Sequence, residues 1–420
     1  MKTYAKKRNL LFNLTAVQPI HSAKFHGGGS YGEVIFWALV KRLYGKVTEP
    51  AEVANASLSL FCAYDSRKYL DPAILDACKT QNIPLFDISE KTPQQIIDEN
   101  QIDTFYTPLY SLEKKWAIDV KDFVFTWHGV RALEMQYSWA GVGFAKKLGQ
   151  KFEALVRYRE SWKKYFYKPK YQDLARRMAE SLTSGPEGRK VRTITVSEHS
   201  RASIKAFFPE LMDLEIPVFY SPMRSYEPEG FLPPEVAAKK YFLLTSGARW
   251  EKNNLRAARA FDELVGMYES QSKSFDYKMV ITGAANPKAY LRHLKHKDRF
   301  VLLGYVESKE LEFLHQNAYA FVFPSLNEGF GYPPVQSMRY GVPVAASGTT
   351  SIPEVCGDAV LYFDPYSVSE IKNRLVQLLD ARIYGDYAER APKRYAQVHA
   401  RQAEDLEKAV DFILKSHCEP

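Results

Sequence analysis

Residues 318 to 347 read "AYAFVFPSLNEGFGYPPVQSMRYGVPVAAS". One apolar run, "AYAFVFP", leads into Glu328-Gly329-Phe330-Gly331, and a second, "PVAAS", leads out. Short apolar segments bounded by turn residues are what strands buried on both faces of a parallel sheet look like. Pro333 and Pro334 stand where proline is tolerated, at the start of a helix. The reading is strand, tight turn, helix, strand. An acid beside two turn glycines is a poor beginning for an ordinary surface helix, so the turn either costs stability or serves a site. In open parallel sheets ligands bind at the carboxyl ends of strands, which is where this turn falls.

The same alternation recurs along the chain. Strand candidates in the first half are "NLLFNL", "LSLFCAY", "TFYTPLY", "DFVFTWHG" and "TITVS". In the second half they are "YFLLTSG", "KMVITG", "RFVLLGYV", "AYAFVFPS", "PVAASG" and "VLYFDP". Two successive sets, separated by helical patterns, predict an α/β protein with two doubly wound, Rossmann-like parallel sheets. A length of 420 residues also exceeds what one core usually holds. Pro222, Pro228, Gly230, Pro233 and Pro234 give residues 222–240 a linker composition. The expected domains are 1–225, with a basic helical insertion at about 135–190, and 226–400. A last helix is expected over about 400–415, with residues 401–420 free to cross back to the first domain.

Composition narrows the partners. Hydrophobic content of 46% with 25% charged residues reads as globular and soluble, and no apolar run reaches the length of a membrane span. Met1–Leu10 is basic and lacks the apolar core of a signal peptide. Cys62, Cys78, Cys356 and Cys418 are dispersed, which predicts a reducing cytoplasm and no structural metal. The net charge of +8 favours an anionic partner. Nine Lys or Arg crowd residues 146–170 against Glu153 and Glu160, with Phe144, Leu148, Phe152, Leu155, Trp162 and Phe166 near helical spacing. Such a helix can lie on the inner face of an anionic membrane, bind an acidic substrate, or pack with its basic face in water. No nucleic-acid motif accompanies it, so nucleic acid is not an expected partner.

Four stretches carry candidate chemistry. In "HGGGSYGE" (26–33), Gly28 and Gly29 precede a helical pattern and can offer bare N–H groups to phosphate; a plain surface loop fits equally well. In "SGARWEKNNLRAARAFDEL" (246–264), Arg249 and Lys252 stand after a strand and before a helix, with Asn253 or Asn254 as its N-cap. Two cations at a helix start suit a diphosphate. Glu328 can accept hydrogen bonds from a hydroxyl-rich ligand, and Gln336 lies within reach of the same ligand. His128, at the end of "FVFTWHGV", is either a packed histidine or a site residue. No DxD or HExxH occurs, so no metal ligands are expected.

Taken in order, these residues resemble the retaining glycosyltransferases of the GT-B fold, glycosyltransferase family 4. The resemblance is strongest over 240–366, through "SGARWEKNNLRA", "VITGAANPKAYL" and the block around "FVFPSLNEGFGYPPVQS". It is thinner in "HGGGSYGE", "FTWHGVRALE" and "TVSEHSRASIKAFFP". It implies two Rossmann-like domains facing a cleft, and metal-independent transfer of a sugar from a UDP-, GDP- or dTDP-linked donor. The acceptor implied is a polysaccharide or lipid-linked glycan, and no cofactor is implied. Arg249 and Lys252 then match the pair that neutralises the donor diphosphate, and Glu328 the acid that grips sugar hydroxyls. Gly329, Phe330 and Gly331 match the amides facing sugar or phosphate, and Gly304, Tyr305 and Val306 the loop that reads the base. Gly28 and Gly29 match a loop meeting the diphosphate, and His128 the histidine near the sugar. One position departs: the family's second acid, which contacts the ribose, is Gln336 here. Two other readings stay open, an inactive GT-B scaffold for a partner enzyme, and a GT-B synthase or phosphorylase acting on a small acceptor.

Overall fold

The computed structural model describes residues 8–19, 27–45, 58–110, 118–135, 151–152, 155 and 190–415. The chain divides into two units. Met1–Gly129, Gln172–Arg224 and Arg401–Pro420 form one, and Val130–Tyr171 with Ser225–Ala400 form the other. The first unit is built on β1 (Arg8–Asn13), α1 (Gly27–Tyr44), β2 (Leu58–Tyr64), α2 (Pro72–Thr80), β3 (Leu85–Asp87), α3 (Pro93–Glu99), β4 (Thr104–Thr107) and β5 (Asp122–Trp127). After α4 (Arg131–Glu134), which the second unit includes, it resumes with β6 (Lys190–Thr195) and α5 (Glu198–Phe207). The second unit then runs through β7 (Tyr241–Leu244), α6 (Asn254–Ser270), β8 (Lys278–Ile281), α7 (Lys288–Leu291), β9 (Phe300–Leu302) and α8 (Ser308–Asn317). It continues with β10 (Ala320–Phe323), α9 (Tyr332–Arg339), β11 (Val344–Ser347), α10 (Ile352–Cys356), β12 (Val360–Phe363) and α11 (Val368–Leu379). The last helix, α12 (Ala381–Leu414), begins in the second unit and from Arg401 belongs to the first.

Each unit holds one six-stranded sheet, ordered β3-β2-β1-β4-β5-β6 and β12-β11-β10-β7-β8-β9. The strand pairings in both sheets are parallel. Counted from its own first strand, each sheet is 3-2-1-4-5-6, the doubly wound order in which winding reverses between first and fourth strands. The residues of β7, β10 and β11 are buried throughout. Their alternation feeds two cores: Phe242 and Leu244 pack with Phe261, Ile281 and Val322, while Tyr241 and Leu243 pack with Val280, Phe321 and Val344. A period of two with both faces covered explains why these strands read as unbroken apolar runs.

The structure departs from the sequence reading in places. β3 is a three-residue edge strand, too short to show an alternation. β4 stops at Thr107 rather than running to Tyr110, since Pro108 has no N–H for a ladder. α12 begins at Ala381 rather than near 400, and passes through Gly385 and Pro392. Both residues read as breakers. A buried stripe of Ala391, Val398, Gln402, Asp405, Ala409 and Ile413 outweighs their low propensity. The basic stretch at 135–190 lies outside the described residues, apart from Met135, Lys151, Phe152, Leu155 and Lys190. Among the described residues no helix is long and apolar enough to cross a membrane.

Within the first unit α12 is tied down by its own polar groups. Tyr220 N–H donates to Asp405 Oδ2 at 2.9 Å, Gln402 Nε2 donates to the Ser221 carbonyl at 2.6 Å, and the Arg401 guanidinium lies 3.5 Å over the Tyr220 ring. Arg42 of α1 pairs with Glu407 and Asp411.

His315 of α8 gives the second unit a pH dependence. Its Nδ1 lies 2.6 Å from Ser337 Oγ, its ring is 4.9 Å from that of Phe321, and it is fully buried. Burial pushes its pKa down to about 3, so the ring is neutral in the folded chain. The unfolded chain takes up that proton below about pH 6.5, so stability is lost as pH falls from there toward 3, at up to about 1.4 kcal/mol per pH unit. Urea unfolding at pH 7, 6 and 5 should show a shallower decline for His315→Gln than for the wild type. Equal slopes would contradict a neutral buried ring.

Candidate active site

Winding in the second sheet reverses between β7 and β10, which are hydrogen-bonded neighbours. The loops that leave their carboxyl ends, Thr245–Asn253 and Pro324–Gly331, sit where open α/β sheets hold ligands. The candidate residues Arg249, Lys252 and Glu328 all lie on these two loops.

The first loop is shaped by close approach. A Cβ on Gly247 would lie 2.9 Å from Ile281 Cγ2 and 3.1 Å from Ala284 Cα, so only glycine lets the backbone rest on the end of β8. Trp250–Lys252 form a single 3-10 turn, and Asn253 follows with φ at +59°. Asn253 occupies the N-cap position of α6, but its side chain makes no cap hydrogen bond. Its Nδ2 instead donates to the carbonyls of Pro324 at 3.0 Å and Pro365 at 2.7 Å. Asn254 Nδ2 donates to the Thr245 carbonyl at 2.8 Å. Of the asparagines expected as caps, Asn253 thus binds strand-end loops to one another, and Asn254 ties the helix start back to its own loop.

Lys252 and Glu328 form a buried ion pair. Nζ lies 2.5 Å from Oε1, the side chains are 7% and 12% exposed, and Nζ also stands 5.2 Å over the Phe323 ring. Burial would raise the Glu328 carboxyl, but the Lys252 charge and hydrogen bond, with Arg249 beyond, hold it below the usual carboxylate range. Burial draws Lys252 down, and Glu328 opposes that pull. We take the pair as charged, because each partner supplies what the other needs at contact distance. The turn itself is pinned from the loop after β11. Glu328 N–H donates to Thr350 Oγ1 at 3.1 Å, and Ser351 Oγ donates to the carbonyls of Glu328 and Phe330 at 3.0 and 2.9 Å. Gly331 closes it with φ at +103°, a conformation that favours glycine.

Glu251 joins the two loops and braces its own. Its carbonyl accepts from Leu326 N–H at 3.0 Å, and its Oε1 accepts from Arg249 Nε at 2.9 Å. Arg131 Nη1 stands 3.7 Å from the same oxygen, and Glu134 accepts from Asn327 Nδ2 at 2.6 Å. Burial would raise the Glu251 carboxyl, yet the charges of Arg249 and Arg131 keep it low. The result is a half-exposed guanidinium beside a buried ammonium and a carboxylate. Chemically, this set can receive an anion and accept from hydroxyls.

The other candidates fall as follows. Gly304, Tyr305 and Val306 follow β9, and Gly283 N–H donates to the Gly304 carbonyl at 2.8 Å while Gly247 N–H donates to Thr282 O at 2.8 Å. The ends of β7, β8 and β9 are therefore linked edge to edge, with the Tyr305 ring 54% exposed. Gly329 and Phe330 lie in the pinned turn, with Phe330 buried. Gln336 sits in α9 and donates through Nε2 to Glu312 Oε1 of α8 at 3.1 Å.

In the first unit, Gly28 and Gly29 lie in the first turn of α1 rather than in a loop before it. The first N–H groups of a helix have no intrahelical partner, so those of Gly28 and Gly29 are not spent on the helix itself. His128 follows β5, its Nε2 2.9 Å from the Pro108 carbonyl after β4 and its ring edge-on to Tyr31 of α1 at 4.8 Å. Within that unit His128 and the Gly-rich start of α1 converge. Glu251, the loop-tying role of Asn253, Thr350 and Ser351 were not singled out from sequence; "SGTTS" is only a generic turn composition. Among the described residues no three His, Cys, Asp or Glu side chains are grouped to hold a metal ion.

Lys252→Met should cost roughly 3–5 kcal/mol in urea unfolding, because it strands the Glu328 charge in the interior. Lys252→Met/Glu328→Leu should recover part of that loss, since it removes both charges. A double variant less stable than the single by the full cost of Glu328→Leu would deny the pairing.

Residues 233–399 match the family described as glycosyl transferases group 1. O-antigen chain mannosyltransferase B of Escherichia coli is 30% identical over 224 residues, 51% of this chain and 57% of that protein. O-antigen chain mannosyltransferase RfbU of Salmonella typhimurium is 31% identical over 151 residues, 34% of this chain and 40% of that protein. The matched part thus spans little more than half of one relative and less of the other. Among solved structures, WaaG, a glycosyltransferase involved in lipopolysaccharide biosynthesis, aligns over 97% of this chain and 100% of its own, with TM-score 0.59 and 13% identity. Anabaena HepE in complex with UDP-glucose aligns over 96% of this chain and 99% of its own, with TM-score 0.56 and 14% identity. The chain has the α/β GT-B fold, and its residues 233–399 match glycosyl transferases group 1.

Proposed function

We propose that the chain is a retaining, metal-independent hexosyltransferase that moves a sugar from a nucleoside-diphosphate donor to a growing polysaccharide or lipid-linked glycan. The observation that carries this reading is the charge set at the β7–β10 reversal, with Lys252 and Glu328 in contact at 2.5 Å and Arg249 held beside them by Glu251. The family match over 233–399 spans all of these residues. The two O-antigen chain mannosyltransferases support mannose as the sugar and an O-antigen-like glycan as the acceptor.

On this reading Arg249 and Lys252 meet the donor diphosphate. As the glycosidic C–O bond breaks, negative charge grows on the leaving phosphate, and cations already in place stabilise it without reorganising. The acceptor hydroxyl attacks the same face, its proton passes to a leaving-phosphate oxygen, and no protein nucleophile is required. Glu328 accepts from sugar hydroxyls, with Gly329, Phe330 and Gly331 behind it. Gly304, Tyr305 and Val306 face the base, and Gln336 the ribose. Gly28 and Gly29 offer amides to the diphosphate, and His128 stands by the sugar. The protein works in the cytoplasm, where a lipid-linked acceptor would bring it to the inner face of the membrane.

The test is thermal stabilisation by UDP, GDP, dTDP and ADP, with and without EDTA. One diphosphate should stabilise selectively, by about 2.7 kcal/mol at a hundredfold excess over Kd. EDTA should leave the shift unchanged, and Arg249→Ala should abolish most of it. No stabilisation by any of the four would sink the reading. Inversion at the anomeric carbon of the product, read by NMR, would remove retention from it.

A further inference from the structure

Glu312 of α8 is 1% exposed, and its carboxylate takes two donors: Gln336 Nε2 reaches Oε1 at 3.1 Å, and Tyr340 Oη reaches Oε2 at 2.7 Å. Burial pushes this carboxyl up, while Tyr340, Gln336 and the charge of Arg339 pull the other way and Glu227 adds to the rise. An ionised carboxylate offers only acceptors, so the amide of Gln336 can meet it through its NH2 group alone. That chemistry decides the amide orientation. Gln336 Oε1 then faces away from Glu312, and among the described residues it accepts no hydrogen bond.

We infer that Glu312 is a positioning residue, which pins the NH2 of Gln336 so that the side chain presents a fixed carbonyl acceptor to a hydroxyl of the nucleotide donor. The inference rests on Gln336 being a donor contact, as proposed above. One N–H of that amide is spent on Glu312, and the atom left without a partner, Oε1, can only accept, so the group that meets it must itself donate. A hydroxyl does; a phosphate oxygen does not. The amide thereby does the accepting work of a carboxylate while keeping a second negative charge away from a buried one. A glutamate at 336 would set two carboxylates about 3.1 Å apart with one of them out of water.

The experiment uses the full chain and whichever of UDP, GDP, dTDP or ADP stabilises the wild type. Kd and ligand-free Tm are measured for Gln336→Glu, Glu312→Gln, Gln336→Glu/Glu312→Gln and Tyr340→Phe. Gln336→Glu should weaken binding about tenfold or more, and the swapped pair should return to within about threefold of the wild type. Tyr340→Phe removes the other donor to Glu312, so it should lower Tm while leaving Kd within about threefold. Wild-type affinity in Gln336→Glu, or a swapped pair no better than that single variant, would overturn the inference. So would a loss of affinity in Tyr340→Phe as large as in Gln336→Glu, which would mean Glu312 only holds helices together. Should Gln336→Glu fail to fold, a folded swapped pair with near wild-type Kd still supports the inference, and one that fails to bind overturns it. A wild type that binds none of the nucleotides would overturn the functional reading and this inference with it; failure confined to the variants overturns this inference alone.

Discussion

A buried lysine keeps its charge only beside an acid, and here that acid comes from the far side of the strand-order reversal. Lys252 leaves the end of β7, Glu328 leaves the end of β10, and their contact sets the register of the two loops. Around it lie ties that make sense only once the pair is closed. The Glu251 carbonyl holds Leu326, Asn253 holds Pro324, and Thr350 and Ser351 hold the Glu328 turn from the next strand. A buried ion pair gives back much of its attraction in desolvation, so it adds less stability than its short contact suggests. The fold therefore keeps these charges at some expense, which is the pattern of a site rather than of a core.

Much of the sheet architecture is legible in the residues alone, because burial on both faces writes itself as unbroken apolar runs. "YFLLTSG", "AYAFVFPS" and "PVAASG" locate β7, β10 and β11 to within a few residues. Where burial is partial the signal fades: β3 is three half-buried residues at a sheet edge. α12 is hidden for a different reason, since Gly385 and Pro392 carry a local preference that its packing overrules. At the site, Arg249, Lys252 and Glu328 are legible because formal charges at strand ends stand out. Glu251 and Glu312 are not. Each acts through a partner distant in sequence, Leu326 and Gln336, and no local spacing marks such a pair.

The two units repeat one solution. Each sheet winds 3-2-1-4-5-6, and in each the candidate residues gather beside the reversal: Arg249, Lys252 and Glu328 in one, His128 against the Pro108 carbonyl and Tyr31 in the other. The second is the more polar and the more heavily tied. The first relies on aromatic contact, with Tyr31 and Tyr106 both on Thr126 Oγ1.

α12 carries a consequence for synthesis. Asp405, Gln402 and Arg401 complete the environment of Tyr220 and Ser221, and Glu407 and Asp411 neutralise Arg42. All five are translated after the entire stretch Ser225–Ala400. On the ribosome, the first sheet emerges early yet stays unfinished until the second has been made, while the second sheet's strands need nothing beyond α11 and the start of α12. Domains commonly close in order of emergence. Here the later one has the means to close first, and the nascent first sheet waits with its Arg42 and Tyr220 surfaces uncovered.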